Sequence, residues 1–447
     1  MVRVERLATS PDVEQLVAAY APGSIRFLLD SGVRSACGRY SLVGGGPSLV
    51  LTARGRRVRL VTHAGTRELV ADPFDVLRDV LGSRRILHDP ACPVPFVGGA
   101  VGYLGYELRH HIERLPASGL DDLALPDLAL GFYDEVWVVD HADGACYHVT
   151  RDDAAPPLGP GPGPGLVLDA ARLPAREGSN FSRAEFLDGV RRVRRYVVEG
   201  DIFQANLSQR LAARLATDPW SFYRCLRRAN PAPFAAFLDF GGFQVASSSP
   251  ERFLRVDGAR AETRPIKGTI RRSRDAREDR ELAAALLASE KDRAELAMIV
   301  DLERNDLGRV CRAGSVRVAD PFSLESYETV HHLVATVVGE LAPGRDLVDL
   351  LRATFPGGSV TGAPKIRAME IIDELEPHVR GVYTGACGYL GDDGRCDLNV
   401  AIRTVVLREG WACFHVGGGI VADSRPLSEY RETLLKAEAI LRALGGS

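Results

Sequence analysis

The sequence predicts an α+β fold, on three observations. Residues 1–150 alternate short period-2 runs with Gly, Pro and Asp, the pattern of antiparallel strands. Residues 179–447 mix long helical periods with strands and lack regular βαβ alternation, which argues against a doubly wound sheet. A Pro/Gly-rich stretch, 151–178, separates these two domains as a linker. At 447 residues and 45% hydrophobic, the chain can build a sizeable core and is too long for one ordinary single-core domain.

In chain order, helical periods are expected near 12–19 and 73–81, and strands at 58–62, 96–106 and 135–140. In 154–165 Pro and Gly alternate, so neither helix nor ladder can propagate, and an exposed, mobile loop is expected. Residues 182–198 read as an amphipathic helix. Ser182 can cap it, Glu185 sits three residues on, and Phe186, Val190, Val193 and Val197 line one face. A long helical region over 274–305 is expected to break near Ser289, which with Asp292 forms a capping-box-like restart. Residues 364–375 form a helix with Pro in its first turn, and 427–444 the last helix.

Composition narrows the partners. With 56 Lys and Arg against 59 Asp and Glu, the net charge of −3 favours neither nucleic acid nor a membrane surface and points to a small molecule. The N-terminus has no apolar signal core, and no apolar run approaches membrane-spanning length. Eight cysteines without CxxC spacing read as reduced cytoplasmic thiols, mostly buried.

A few residues stand out chemically. Asp292 with Glu295, and Glu429 with Glu432, are like-charged i,i+3 pairs on predicted helices. Brought together they would need a cation, and oxygen-only ligands suit Mg²⁺. Spacing alone leaves solvated surface charge as the other reading. Lys267, between Ile266 and Gly268-Thr269, is either a desolvated amine fit for nucleophilic work or a surface turn lysine. Gly417, Gly418 and Gly419 either bring backbone amides close to an anion or make a tight strand turn. Arg403 interrupts an apolar run and needs a partner, either a substrate carboxylate or an internal acid. His331-His332 read as structural histidines.

Longer stretches carry a resemblance: GDIFQANLSQR (200–210), SSSPERFL (247–254), RPIKGT (264–269), SEKDRAELAMIVDLERNDLGRV (289–310), YETVHHLVATVVGEL (327–341), FPGGSVTGAPKIRAMEIIDELEP (355–377), GACGYL (385–390), AIRT (401–404) and GGGIVADSRPLSEYRETLLKAEA (417–439). Together they resemble the chorismate-utilising enzymes, the family of anthranilate and aminodeoxychorismate synthase component I and the isochorismate and salicylate synthases. FLLDSG (27–32), GRYSLVG (38–44) and PFVGGAVGYLGYEL (95–108) match more loosely. The resemblance implies two large antiparallel β-sheets packed as a sandwich with outer helices, a catalytic domain over 179–447, and a site in a cleft. It implies Mg²⁺ on Glu295 and Glu432, supported by Glu429 and Asp292. Arg403, Tyr389 and the amides of Gly417–Gly419 would grip the substrate's carboxylates, with Lys436 nearby. Ser359 and His332 would line the ring, and Glu251 would be the general acid for the C4 hydroxyl.

Two positions separate the family members. The water-using members have a Lys base where this chain has Gln204, and a neutral amide takes no proton from water. Anthranilate synthases have PIAGT where this chain has PIKGT, the aminodeoxychorismate synthase pattern. The resemblance therefore implies a chorismate-aminating enzyme with Lys267 as nucleophile. Ammonia would come from a separate glutamine amidotransferase subunit, since no such module is apparent. Anthranilate synthesis and a non-catalytic chorismate-binding module are the alternatives. Leu28-Leu29-Asp30-Ser31 resembles the LLES of the tryptophan pocket of anthranilate synthases. Asp replaces Glu, and Pro233-Phe234-Ala235 stands for Pro-Tyr-Met, so feedback by tryptophan is not implied.

Overall fold

The computed structural model describes all residues except 1, 9–10, 34–36, 153, 155, 159–165, 167, 329 and 446–447. Most of the expected mobile loop at 154–165 lies outside the described residues.

Two large sheets, antiparallel throughout their paired strands, form the body. The first runs from Val2–Arg6 at one edge through Arg26–Asp30, Phe234–Asp239, Gln244–Ser249, Thr404–Arg408 and Trp411–Ile420 to Gln204–Arg214 and Gly178–Ser179. The second runs from Ile266–Arg271 through Val330–Glu340, Arg260–Arg264, Arg252–Asp257, Cys396–Val400 and Ala386–Gly391 to Gly99–Leu104 and on to Gly65–Val70. Phe27, Val138 and Leu238 of one sheet share a buried cluster with Val101, Tyr103 and Tyr389 of the other, so the sheets pack face to face.

Helices cover both outer faces. Val13–Ala18, Pro219–Ala229 and Pro426–Gly445 pack on the first sheet through Phe222, Leu226, Ala437 and Ile440. Pro73–Arg84, Glu290–Gly308 and Leu347–Thr354 pack on the second through Phe74, Leu296, Val300 and Leu351. Ser182 caps Arg183–Glu199 with the expected box through Glu185. Ser289 ends Ala276–Ala288 and caps Glu290–Gly308, so the break falls where the sequence put it. Pro364 sits one position earlier than expected, at the N-cap of Lys365–Leu375.

Strands from the two sides of 151–178 alternate within neither sheet; each side builds one half of both. The halves join through two strand pairs, Arg26–Asp30 with Phe234–Asp239 and Gly99–Leu104 with Ala386–Gly391. The eight cysteines are free thiols, five of them buried. No described helix is long and apolar enough to cross a membrane.

The chain crosses from the first sheet to the second at Pro250-Glu251 and back at Ala401–Arg403. The crossings are tied together. Val400 N donates to Glu251 O at 3.0 Å, Ser248 N to Arg403 O at 3.1 Å, and Ser249 Oγ to Val400 O at 2.6 Å. Arg403 takes φ +49°, a left-handed conformation that such a corner demands of a non-glycine residue.

Candidate active site

Lys267 lies in an edge strand, Ile266–Arg271, whose pairing with Val330–Glu340 shifts register between Ile266 and Thr269. Such a bulge re-aims a side chain. Gly268 takes φ +79°, and a Cβ there would stand 2.9 Å from Asp292 Cβ, so only glycine suits this bend. The half-buried Lys267 Nζ donates to Ser359 O at 2.9 Å. Burial pushes its pKa down, while the carboxylates of Glu251, Glu295 and Glu432 pull it partly back.

Glu251 is buried at its sheet-crossing corner, and burial pushes its carboxyl up against the opposing pull of the Lys267 charge. Its Oε1 has no hydrogen-bond partner, nor has the neighbouring Ser359 Oγ or the Oε1 of buried Gln204. Buried polar atoms are rarely left so, and these three, without partners among the described residues, mark places for polar ligand atoms.

The acidic pairs converge from two helices. Glu295, on Glu290–Gly308, is pushed up by burial and further by Asp292 and Glu432, against Lys267 and Lys291. Glu429 is pushed up by burial and by Glu432, against the Ser424 hydroxyl. Glu432 is lowered on balance: against partial desolvation stand Lys436, 2.7 Å away, and the charges of Lys291 and Lys267. Asp292 accepts the Ser289 hydroxyl at 2.5 Å and packs against Gly268. Among the described residues, no three His, Cys, Asp or Glu side chains are close enough to hold an ion unaided. The donor chemistry nevertheless fits Mg²⁺, which takes one or two carboxylates and completes its shell with water and substrate oxygens. The mutual repulsion of these carboxylates, of which Glu429 is buried and Glu295 half-buried, is what such a cation would relieve.

Gly417–Gly419 make no turn. They continue Trp411–Ile420, with Ser208, Leu207 and Asn206 opposite them. Gly417 and Gly419 are there for lack of room: a Cβ at 417 would meet Leu207 O at 2.7 Å, and one at 419 would meet Gln204 Nε2 at 1.7 Å. A Cβ at 418 would fill the hollow before Glu432 Oε1, Glu429 Oε2 and Lys436 Nζ, at 3.6, 3.7 and 3.7 Å. Lys436 Nζ also donates to Gly417 O at 2.9 Å, tying helix to strand.

Arg403 has no carboxylate partner among the described residues. Nη1 donates to Asn230 Oδ1 at 2.9 Å, and burial alone lowers its pKa. Of its two possible partners, the internal acid is thus absent among the described residues, and a half-buried guanidinium is left for an anion. Its charge, after burial, drives His332 down to about 3, so this histidine is neutral. His332 Nδ1 lies 2.8 Å from Thr269 Oγ1, two residues along from Lys267.

Tyr389 does not join this group. On Ala386–Gly391, alternation sends Ala386 and Leu390 into one core layer and Cys387 and Tyr389 into the other. Tyr389 stacks near Phe96 and lines a separate cavity of 310 Å³ at the seam between the halves, with Leu29, Asp30, Ser31, Pro233 and Phe234. Asp30 in that cavity is committed to Ser41, Tyr223 and Arg227. The tyrosine beside the glycine strand is Tyr383, stacked on His415 at 5.0 Å and sharing a hydrogen bond with Asn206. The sequence reading also passed over Glu376 and Arg380, although acid and base four residues apart were a usable signal.

A neutral-leaning acid and amine lie in electrostatic reach of each other beside a carboxylate cluster, with a guanidinium that has no carboxylate partner among the described residues, on a two-sheet sandwich. That is the class of enzyme that turns over a small polycarboxylate. Residues 34–442 match the chorismate binding enzyme family, and the chain belongs to it. It is 43% identical to anthranilate synthase component 1 of Thermus thermophilus, over 99% of this chain and 98% of the relative. It is 42% identical to aminodeoxychorismate synthase component 1 of Salmonella typhimurium, over 91% and 90%. The crystal structure of anthranilate synthase component I from Streptococcus pneumoniae superimposes with a TM-score of 0.78 at 33% identity, covering 91% of this chain and 93% of that one.

Proposed function

We propose that this chain is an aminodeoxychorismate synthase component I, replacing the C4 hydroxyl of chorismate by an amine. The observation that carries the reading is Lys267: a half-buried amine with lowered pKa, held by the Ser359 carbonyl in the electrostatic reach of Glu251. Burial drives Glu251 toward its protonated form and Lys267 toward its neutral form, the forms a general acid and an amine nucleophile require.

In this reading neutral Lys267 Nζ attacks C2 of the ring. The double bonds shift and the C4–O bond breaks as Glu251 delivers its proton, so the hydroxyl departs as water. Ammonia adds at C4, the double bonds shift back and the C2–Nζ bond breaks. A proton shed by the incoming ammonia restores Glu251. The enolpyruvyl group stays, so no pyruvate forms. Mg²⁺ on Glu295 and Glu432, backed by Glu429 and Asp292, would neutralise the ring carboxylate. Arg403 and the amides of Gly417–Gly419 take the remaining negative charge, with Lys436 beside them. Ser359 and neutral His332 line the ring. Gln204 cannot deprotonate water, which disfavours hydration at C2. Residues 179–447 carry the chemistry, ammonia comes from a separate glutamine amidotransferase subunit, and the product serves p-aminobenzoate and folate synthesis.

A second reading, anthranilate synthesis, has the similarity to the Thermus relative in its favour and Lys267 against it. Purified protein with chorismate, Mg²⁺ and ammonium at alkaline pH, its product identified by mass, separates them. Aminodeoxychorismate without pyruvate is expected; fluorescent anthranilate with pyruvate would overturn the proposal.

A further inference from the structure

The most heavily bonded charged side chain beside the site touches no part of the reacting cluster. Arg380 and Glu376 form a buried ion pair, with side chains 1% and 4% exposed and Nη2 2.7 Å from Oε1. Arg380 uses all five of its N–H groups. Nε donates to Glu376 Oε2 at 2.9 Å. Nη1 donates to Val360 O at 3.0 Å and to Thr384 Oγ1 at 3.2 Å. Nη2 donates to Asn206 O at 2.6 Å and to Glu376 Oε1. Glu376 Oε1 in turn accepts Ser208 N and Ser208 Oγ, both at 2.8 Å. With no donor left over, this guanidinium cannot receive a substrate carboxylate, in contrast to Arg403.

What it joins is informative. Val360 follows Ser359, whose carbonyl holds the Lys267 amine. Asn206 and Ser208 belong to Gln204–Arg214, the strand that carries Gln204 and backs the three glycines. Thr384 follows Tyr383, which stacks on His415, two residues before Gly417. The backbone already joins these segments, since Gln204 and Ala205 pair with Ala363 and Gly362 and Asn206 N donates to Thr361 O at 2.8 Å; the planar fork locks the Ser359 turn, just upstream, onto that junction. Only arginine presents several donors in fixed directions; a lysine keeps the charge and loses the fork.

We propose that the Arg380–Glu376 pair is the positioning device that fixes the Ser359 turn on the Gln204 strand, and so the placement of the Lys267 amine against its substrate. The ladder ends at Thr361, so the side-chain fork on Val360 O is what extends the restraint to the turn carrying Ser359 O, and displacements near 1 Å in a reacting pair cost about a hundredfold in rate. This rests on the reading of Lys267 given above, and its test is read on chorismate consumption, whichever product forms.

The test is Arg380→Lys in the full chain, with folding followed by thermal melting and chorismate binding by calorimetry. Chorismate consumption should fall at least about tenfold in kcat, since misplacement acts on the reacting atoms, while KM and the binding constant change less than about threefold, because Arg403 and the glycine strand are untouched. A folded Arg380→Lys enzyme with wild-type kcat overturns the proposal, as does a loss confined to melting temperature and yield. If Arg380→Lys does not fold, Glu376→Gln keeps the shape and weakens the clamp. A smaller kcat loss at constant KM is then expected, and unchanged kcat overturns the proposal. If the wild-type product is anthranilate, the amination reading fails while the kcat-against-KM split in the variants still decides the role of the pair.

Discussion

Gly418 offers a perturbation whose two consequences can be separated. It has no positive φ, and an added Cβ would lie 3.6 Å from Glu432 Oε1 and 3.7 Å from both Glu429 Oε2 and Lys436 Nζ. These are ordinary van der Waals contacts, so Gly418→Ala strains nothing. By restricting the unfolded chain it should leave stability unchanged or raise it by about 0.4–1 kcal/mol. The methyl group nevertheless fills the hollow into which Glu432, Glu429 and Lys436 point, where the bound cation and substrate carboxylate are proposed to sit. Losing one charge-assisted contact costs about 1.5–3 kcal/mol, or roughly tenfold to a hundredfold in apparent affinity. Steady-state kinetics at fixed Mg²⁺, beside a thermal melt, reads both. A higher KM for chorismate and a weaker Mg²⁺ requirement-curve midpoint are expected at an unchanged or higher Tm. Wild-type kinetics from the alanine variant would refute the reasoning, because the hollow would then not be the binding site.

Two other perturbations follow the same physics. Arg403→Gln removes a half-buried guanidinium whose described partner is the neutral side chain of Asn230. Its KM for chorismate should rise by about tenfold or more, as befits a lost charge-assisted bond, while the melting temperature holds or rises; unchanged KM would exclude Arg403 from carboxylate binding. His332 is held near 3 by burial and by Arg403, against about 6.5 when unfolded. Between those values the unfolded chain binds the extra proton, so this contribution is fully present above about pH 6.5 and is lost as pH falls toward 3. Urea midpoints of His332→Gln should fall less steeply over that range than those of the unsubstituted protein, and identical slopes would contradict a neutral, buried His332.

The helices were legible because their signals are local. Ser182 with Glu185, and Ser289 at the break, are read from neighbours three residues apart. Strand existence was legible in the same way, but strand order was not: nothing local pairs Arg26–Asp30 with Phe234–Asp239 across two hundred residues, or says that each half of the chain supplies half of both sheets. Lys267, Glu251, Glu295 and Glu432 came from long motifs, and the structure brings them into one electrostatic neighbourhood. Tyr389 failed for a physical reason. Both faces of Ala386–Gly391 are buried, so alternation alone cannot say which face meets the cleft. The three glycines, which the sequence left as either a turn or an approach to an anion, continue a strand instead: Gly417 and Gly419 give way to neighbours on the adjoining strand, and Gly418 leaves a hollow before Glu432.

The account depends most on the amine at position 267 forming the bond to the ring. Lys267→Ala, assayed for amination with ammonium while chorismate affinity is measured separately by calorimetry, addresses it directly. Most of the turnover should disappear with chorismate still bound at near-normal affinity; a variant that binds chorismate and aminates it at the original rate would contradict the assignment.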